Sequence, residues 1–439
     1  MKNSYSMKKN ILQLIFILFI IPSVHSQNKL TAEDAVSLAL KYNYDILVSG
    51  NNATADSINN TAGNAGMLPN LSITGSEDYA PGNNATRKLS DGTTVTSSNI
   101  NSNTLNASVG LNWTLFDGGK MFITKRKLNE IQSLGEIQFR DKVLQTVYNV
   151  TIAYYDVVRQ KQELASLNEV ITYNLERVKI SQTSFDAGLS PKTNLLQAKI
   201  DLNVYQENAI NQETIILAAK RTLNQLLGRN AETEFEVLDS IPINNLIDKR
   251  ELVQKLDSSN TSILAYSKQV DVSKMSLKEM NSLLLPRINF NAGYSLYQSN
   301  TPGGNPLLTR TLGPSLGGTI SIPIYQAGNA SRQIKNARIQ LQSDIYNLES
   351  IKLEVNQQLQ NALTQFDNQM NLLIIEKDNA ILAKENLEIS IQRLRYGQTT
   401  SLEVSLAEGS FVNSLTRLIS FEYNLKVAET KLKQLLSKL

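Results

Sequence analysis

The sequence predicts a duplicated α-plus-membrane-β architecture, with two long helical hairpins and two β-hairpins in one chain. Three observations carry this expectation: an internal repeat, segments of two-residue alternation, and matched helix lengths.

The repeat appears at a shift of about 209 positions. It brings Phe116-Asp-Gly-Gly119 onto Tyr325-Gln-Ala-Gly328 and Gly188 onto Gly397. It also brings Ala198 onto Ala407 and Leu223-Asn-Gln-Leu-Leu227 onto Leu432-Lys-Gln-Leu-Leu436. Upstream, Leu68-Pro69 matches Leu285-Pro286 at a slightly larger shift, which a longer polar loop in the first half absorbs. Single matches of this kind are weak. Several in one order and nearly one register mark a duplication.

The strands come next. From Leu105 to Leu115, Leu105, Ala107, Val109, Leu111, Trp113 and Leu115 alternate with Asn106, Ser108, Gly110, Asn112 and Thr114. Ile288, Phe290, Ala292, Tyr294 and Leu296 repeat the pattern, Leu316 to Ile324 resembles it, and Leu71 to Tyr79 is weaker. Each run has about 9 to 11 residues, enough to cross a bilayer when tilted. A soluble sandwich would show the same alternation. The uncharged wet faces and the export signal described below favour the membrane. Leu111 and Trp113 are then expected to face lipid and Asn112 and Thr114 a lumen. Ser90–Thr104 and Gln298–Pro314 are expected to be extracellular loops. Four strands cannot close a barrel, since the smallest have about eight, so the chain must oligomerise.

The helices carry a narrow apolar stripe, Leu348, Ile351, Val355, Leu359, Ala362, Phe366, Met370 and Leu373, with an amide-rich exterior between them. From Gly118 to Asp186 is about 100 Å of helix. The return from Pro191 to Gly228 and the opening segment from Thr31 to Met67 are each about 55 Å. Two short helices stacked end to end therefore match one long helix, and the second half repeats the arithmetic. At the turns, Ser190 is expected as an N-cap with Pro191 as the first helical residue, and Thr400 and Glu403 have capping-box spacing. Prolines fall outside the expected helix interiors. Thr233–Leu238, between the halves, reads as a short strand beside the helices midway along their length.

The organisation is therefore 1–26 as a signal peptide, 27–228 as a first repeat with a β-hairpin at 68–116, 229–248 as a linker, and 249–439 as a second repeat with a β-hairpin at 285–325. The signal expectation rests on Lys8 and Lys9, the apolar run Ile11 to Ile21 broken only by Gln13, then Pro22 and the small residues around Ser26. The run is too short to span a bilayer, and no later segment approaches 18 apolar residues.

Composition excludes whole function classes. Of 439 residues none is cysteine, and the one histidine, His25, lies in the signal segment. A mature chain without His or Cys has no Ser-His-Asp triad and no Cys/His zinc site. No catalytic residue, metal ligand or cofactor is assigned, and the chain is not expected to be an enzyme. Lys2, Lys8 and Lys9 account for the formal charge of +3, so the mature chain is near neutral and is not expected to bind nucleic acid.

On these residues the chain resembles the TolC-like outer-membrane efflux proteins over its mature length. Leu68-Pro69, Leu285-Pro286, Phe116-Asp-Gly-Gly119, Ala153-Tyr154-Tyr155-Asp156, Phe185-Asp-Ala-Gly188 and Arg395-Tyr-Gly397 carry the resemblance. The resemblance implies a homotrimer whose 12-stranded barrel in outer-membrane lipid continues as an α-helical periplasmic tunnel. It implies an exit duct for tripartite efflux or type I secretion. Gly188 and Gly397 would mark the hairpin tips where a periplasmic adaptor and an inner-membrane pump dock. At the entrance, the family's two acids fall at Glu403 and Leu406, so one is kept in type. A family ion pair falls at Thr399 and Asn194, where a hydrogen bond could replace it. A trimeric surface adhesin or stalk is the rival reading, but its strands would lie together at the C-terminus.

Overall fold

The computed structural model describes residues 29–243, 249–301 and 307–439. The expected signal segment and residues 244–248 of the linker lie outside them. In the first half run α1 (Ala32–Tyr42), α2 (Tyr44–Asn59), β1 (Asn70–Lys88), β2 (Thr94–Asp117), α3 (Lys120–Asp186) and α4 (Lys192–Leu226). The second half has α5 (Lys249–Ser259), α6 (Thr261–Asn281), β3 (Arg287–Asn300), β4 (Leu308–Ser321), α7 (Asn329–Arg395) and α8 (Ser401–Leu435). The long helices α3 and α7 each have 67 residues, about 100 Å of rise. Their return helices α4 and α8 each have 35.

The expected opening helix from Thr31 to Met67 is not continuous. It breaks at Asn43, and the second-half counterpart breaks at Asn260. Helix ends leave backbone donors and acceptors without partners, and an asparagine amide supplies one of each. Asn43 Oδ1 accepts from the backbone of Asp45 (3.0 Å) and Ile46 (3.2 Å), while Nδ2 donates to the Leu226 carbonyl (2.8 Å). Asn260 Oδ1 accepts from Ile263 (3.2 Å), and Nδ2 donates to the Leu435 carbonyl (3.0 Å). Each amide thus caps the start of one short helix and the end of the helix stacked on it. End-to-end stacking is built from these two junctions.

Around the molecule, the column made by α1, α2 and α4 packs on α3. The column made by α6 and α8 packs between α3 and α7. The apolar stripe of α7 forms the core there, with Val355, Leu359, Ala362, Phe366 and Leu373 buried against Leu425, Ala428 and Leu432. Midway along, Tyr154 OH donates to the Leu30 carbonyl (2.8 Å) and accepts from the Leu238 backbone (3.2 Å). Thr233–Leu238 is not the short strand expected. A single parallel bridge joins Val237 to Leu30, and Phe235, Val237 and Ile241 bury themselves against α3.

The four strands form one antiparallel sheet in the order β1-β2-β3-β4. Its register sorts the alternation into two continuous faces. On one face the rows read Ile73-Val109-Tyr294-Pro314, Leu71-Leu111-Ala292-Leu316 and Trp113-Phe290-Gly318. On the other they read Ser72-Gly110-Gly293-Ser315, Asn70-Asn112-Asn291-Gly317 and Thr74-Ser108-Ser295-Gly313. The apolar face ends upward at the row Glu77-Leu105-Gln298-Arg310 and downward at Phe116-Ile288-Ile320, after a bulge between Thr114 and Phe116. Those limits lie about 35 Å apart along a strand, or about 25 Å of membrane when tilted. Trp113, Phe290 and Phe116 form an aromatic lower border, and Trp113 Nε1 donates to the Met67 carbonyl (3.0 Å).

The strands exceed the 9 to 11 residues expected: β1 has 19, β2 24, and β3 and β4 14 each. Most of the expected loop Ser90–Thr104 is β2, paired with β1 out to Lys88 opposite Thr94. The expected loop Gln298–Pro314 likewise begins and ends in ladder, with Asn300 opposite Leu308. Above the apolar band both faces are mostly polar, with Ile100 buried among them, so two-residue alternation does not report the ribbon. Its backbone is satisfied by the partner strand in water as in lipid. The signal was local: Asp91-Gly92 closes the β1–β2 turn, with Asp91 Oδ1 accepting from the Thr93 backbone (2.9 Å) and hydroxyl (2.7 Å).

The ribbon and the helix tips lie at opposite ends of the chain. A Ser98→Cys variant should therefore react with a membrane-impermeant maleimide on intact cells, while Leu189→Cys should react only after permeabilisation. The reverse pattern would invert the orientation.

Candidate pore entrance

Both hairpin tips end their first helix in the same way. Gly188 and Gly397 have φ of +71° and +68°. Gly188 N donates to the Phe185 carbonyl (2.9 Å) and Leu189 N to Ser184 (2.8 Å); Gly397 N donates to Leu394 (3.1 Å) and Gln398 N to Arg393 (2.8 Å). These bonds satisfy the last carbonyls of α3 and α7 and set the tight reversal.

The caps differ from expectation. Ser190 is not the N-cap of α4; Pro191 occupies that position without a side-chain bond, and Lys192 is the first helical residue. The Ser190 hydroxyl instead accepts from Asn194 Nδ2 (3.0 Å). Half of the expected capping box forms at the other tip, where the Thr400 hydroxyl accepts from Glu403 N (3.3 Å). The Glu403 carboxylate does not return to the Thr400 backbone. It accepts from the Thr399 hydroxyl and from Arg393 Nη1 (3.0 Å), while Arg393 Nη2 donates to the Gln398 carbonyl (3.2 Å). A charged partner one turn back on α7 outcompetes a backbone amide for a carboxylate. Glu403 and Arg393 remain about half exposed, at 49% and 47%. Asn194 and Thr399 are each held inside their own turn, and among the described residues no hydrogen bond joins them within one chain. Leu406 is 66% exposed.

A second layer lies just above the tips and was not anticipated. Arg177 of α3 is fully buried and pairs with both Asp201 of α4 and Glu408 of α8. It occupies the buried stripe Val170, Asn174, Arg177 and Ser181 of α3. An arginine at helical spacing on a core-facing stripe was the available signal. Burial pushes the Glu408 carboxyl up to about 7, against the opposing pull of Arg177. Three exposed contacts also tie α3 to α7: Arg395 with Glu176, Lys384 with Glu169 (2.8 Å), and Tyr173 OH donating to Glu388 (3.1 Å).

This geometry, a four-stranded sheet with one lipid-type face joined to two 100 Å hairpins, coincides with a sequence-family match. The profile of the outer membrane efflux protein family covers residues 35–229 and 252–438. The chain belongs to that family. This efflux protein is 25% identical to the outer membrane efflux protein BepC of Brucella suis biovar 1 over 332 residues, 73% of this chain and 69% of BepC. It is 21% identical to the proteases secretion protein PrtF of Dickeya chrysanthemi over 414 residues, 89% of this chain and 84% of PrtF. Its fold matches the Campylobacter jejuni CmeC outer membrane channel at a TM-score of 0.77 with 15% identity, covering 93% of this chain and 85% of that one. The efflux protein is thus an outer-membrane channel whose helices extend into the periplasm as a tunnel, and the adhesin reading is set aside. Its family consists of channels, and the duct serves efflux or type I secretion.

Proposed function

We propose that three copies of this chain close into one continuous duct that receives cargo at the hairpin tips from an inner-membrane pump and a periplasmic adaptor. The observation that carries this reading is that both layers of the molecule end in unpartnered edges of matching kind. In the sheet, β1 and β4 each expose a free ladder, which lipid cannot satisfy. In the helical layer, the free edges are α7 and the column of α2 and α4. Both are studded with exposed apolar residues at heptad-like spacing: Ile339, Tyr346, Leu353, Ile374 and Ile381 on α7, and Leu196, Ile210 and Leu217 on α4. A groove of about 570 Å³ beside Leu47, Gly50 and Phe139 continues that edge along α2. Docking α7 of one copy onto the α2–α4 column of the next covers these residues while β4 pairs with β1.

The tips suit protein docking. Leu189, Tyr396, Leu402 and Leu406 are exposed there. A groove of about 560 Å³ between α3 and α7, lined by Leu175, Lys179, Ile180 and Arg395, opens beside them. An adaptor hairpin of mixed apolar and charged character fits that lining, with Gly188 and Gly397 shaping the tips. At the mouth, Glu403 and Arg393 form a charge pair repeated once per chain, while Asn194 and Thr399 fix the turns that carry it.

The mass of the detergent-solubilised protein tests the assembly. Three chains per particle are expected, with single-channel steps in planar bilayers. A monomer that keeps its β-sheet signal would refute the proposal.

A further inference from the structure

We propose that the buried Arg177–Asp201–Glu408 cluster acts as a proton-operated latch between the two hairpins, so that acid holds α8 against α3 and alkali loosens the entrance. The inference rests on the duct reading above and adds a regulation to it.

One guanidinium is shared by two carboxylates, and the three groups come from α3, α4 and α8. The side chains of Arg177 and Glu408 are 0% and 1% exposed, and that of Asp201 is 19% exposed. With both acids ionised, the cluster carries one excess negative charge in a place that water barely reaches. Like charges around one cation, in low dielectric, favour proton uptake by the more buried acid. Glu408 is that acid, and its Oε1 is buried with no hydrogen-bond partner. Arg177 Nε is buried and unpartnered as well, so the cluster is not closed by its own hydrogen bonds.

The surroundings give the proton few competitors. From α4, Tyr205 faces the pair, and burial followed by the Glu408 charge holds its hydroxyl above the usual range. From α3, Ser181 is buried one turn beyond Arg177, and Tyr173 packs edge-on against Phe411 of α8. From α7, Leu387 and Ile391 complete the core with Val404, Ala407 and Phe411. The groups facing Glu408 that titrate near neutrality therefore reduce to Glu408 itself.

The sign follows from linkage. Packed, Glu408 takes a proton with a midpoint near 7. Swung away into water, it would titrate like an ordinary glutamate, at about 4.3. The packed arrangement binds the proton more tightly, so low pH favours packing and rising pH through 7 favours separation. The gap between about 7 and about 4.3 biases the equilibrium by up to several hundred-fold. The tips form one end of a ring of hairpins, and widening such a ring requires neighbouring hairpins to slide or part. Loosening α8 from α3 is such a movement, since Arg177 is the buried charged tie between them at this level.

Single-channel conductance of the full-length protein in planar bilayers, from pH 5.5 to 8.5 in high salt, tests the latch. Wild type should step upward through about pH 7. Glu408→Gln, a mimic of the protonated acid, should remain at the low-pH conductance throughout. Asp201→Asn removes the competing carboxylate, and its midpoint should move to lower pH. That displacement is one that a purely structural role would not produce. A wild-type step that persists in Glu408→Gln, or a midpoint unmoved in Asp201→Asn, would overturn the latch. If Glu408→Gln fails to assemble, Asp201→Asn alone decides. Channels without a pH step would remove the latch and leave the duct; no channels at all would remove the duct.

Discussion

Gly228→Ala should lower the unfolding free energy of the efflux protein by about 3 kcal/mol, with a corresponding fall in the thermal midpoint in detergent. Gly228 follows α4 at φ +67°, a conformation that costs a side-chain-bearing residue about 1 to 2 kcal/mol. A Cβ there would also stand 2.2 Å from the Tyr42 carbonyl oxygen, so the end of α1 must move, at a further 1 to 3 kcal/mol or about that. The duplicated junction supplies its own control. Ser437, equivalent to Gly228 by the repeat, sits at φ +55°, and its hydroxyl donates to the Ser259 carbonyl (2.8 Å). Ser437→Gly relieves the backbone but loses that bond, two effects of about 1 kcal/mol each, and should be nearly neutral. Equal losses at both positions would mean that the junction does not work as described.

Charge at the mouth should follow two substitutions in opposite directions. Glu403→Gln keeps the cap, because the Thr400 hydroxyl still accepts from the backbone of residue 403, and leaves Arg393 as an unneutralised cation in each of three chains. Cation preference measured at low salt should fall several-fold. Arg393→Gln frees the carboxylate and should raise that preference by a similar factor. Low salt matters, since the Debye length is about 10 Å at 0.1 M and exposed charges are screened beyond it. If both variants keep wild-type selectivity, Glu403 is a structural residue and the mouth is governed elsewhere.

The elements that alternation and helical spacing describe were readable in the sequence. The apolar rows through Val109, Leu111 and Trp113 lie on one face because period two leaves no other arrangement once the sheet forms. The stripe from Leu348 to Leu373 is core for the same kind of reason. What escaped detection depends on partners distant in sequence. Asn43 and Asn260 look like ordinary polar residues in a helical run until Leu226 and Leu435 arrive beside them. Arg177 lies at helical spacing on a core-facing stripe, but its partners are visible only once α4 brings Asp201 and α8 brings Glu408. The ribbon from Ala80 to Lys88 has no apolar face, so only its Asp-Gly turn marked it. At the mouth, the capping-box spacing correctly placed Thr400 at the start of α8. It misplaced the carboxylate, because Arg393 sits ten residues earlier and faces Glu403 only after the chain reverses.

The closed ring is the central claim, and the absence of cysteine makes it directly testable. Ser72 of β1 and Ser315 of β4 share one row of the sheet but stand three strand spacings apart within a chain, about 14 Å. Closure with tilted strands staggers the register across the seam, so a bifunctional thiol reagent able to span about 15 to 20 Å is used on the Ser72→Cys, Ser315→Cys protein, and only links between different chains raise the mass of the product. In intact membranes the account predicts covalent dimers and trimers on a denaturing gel, with the series ending at three. Monomers alone, or a ladder that continues beyond three, would contradict it.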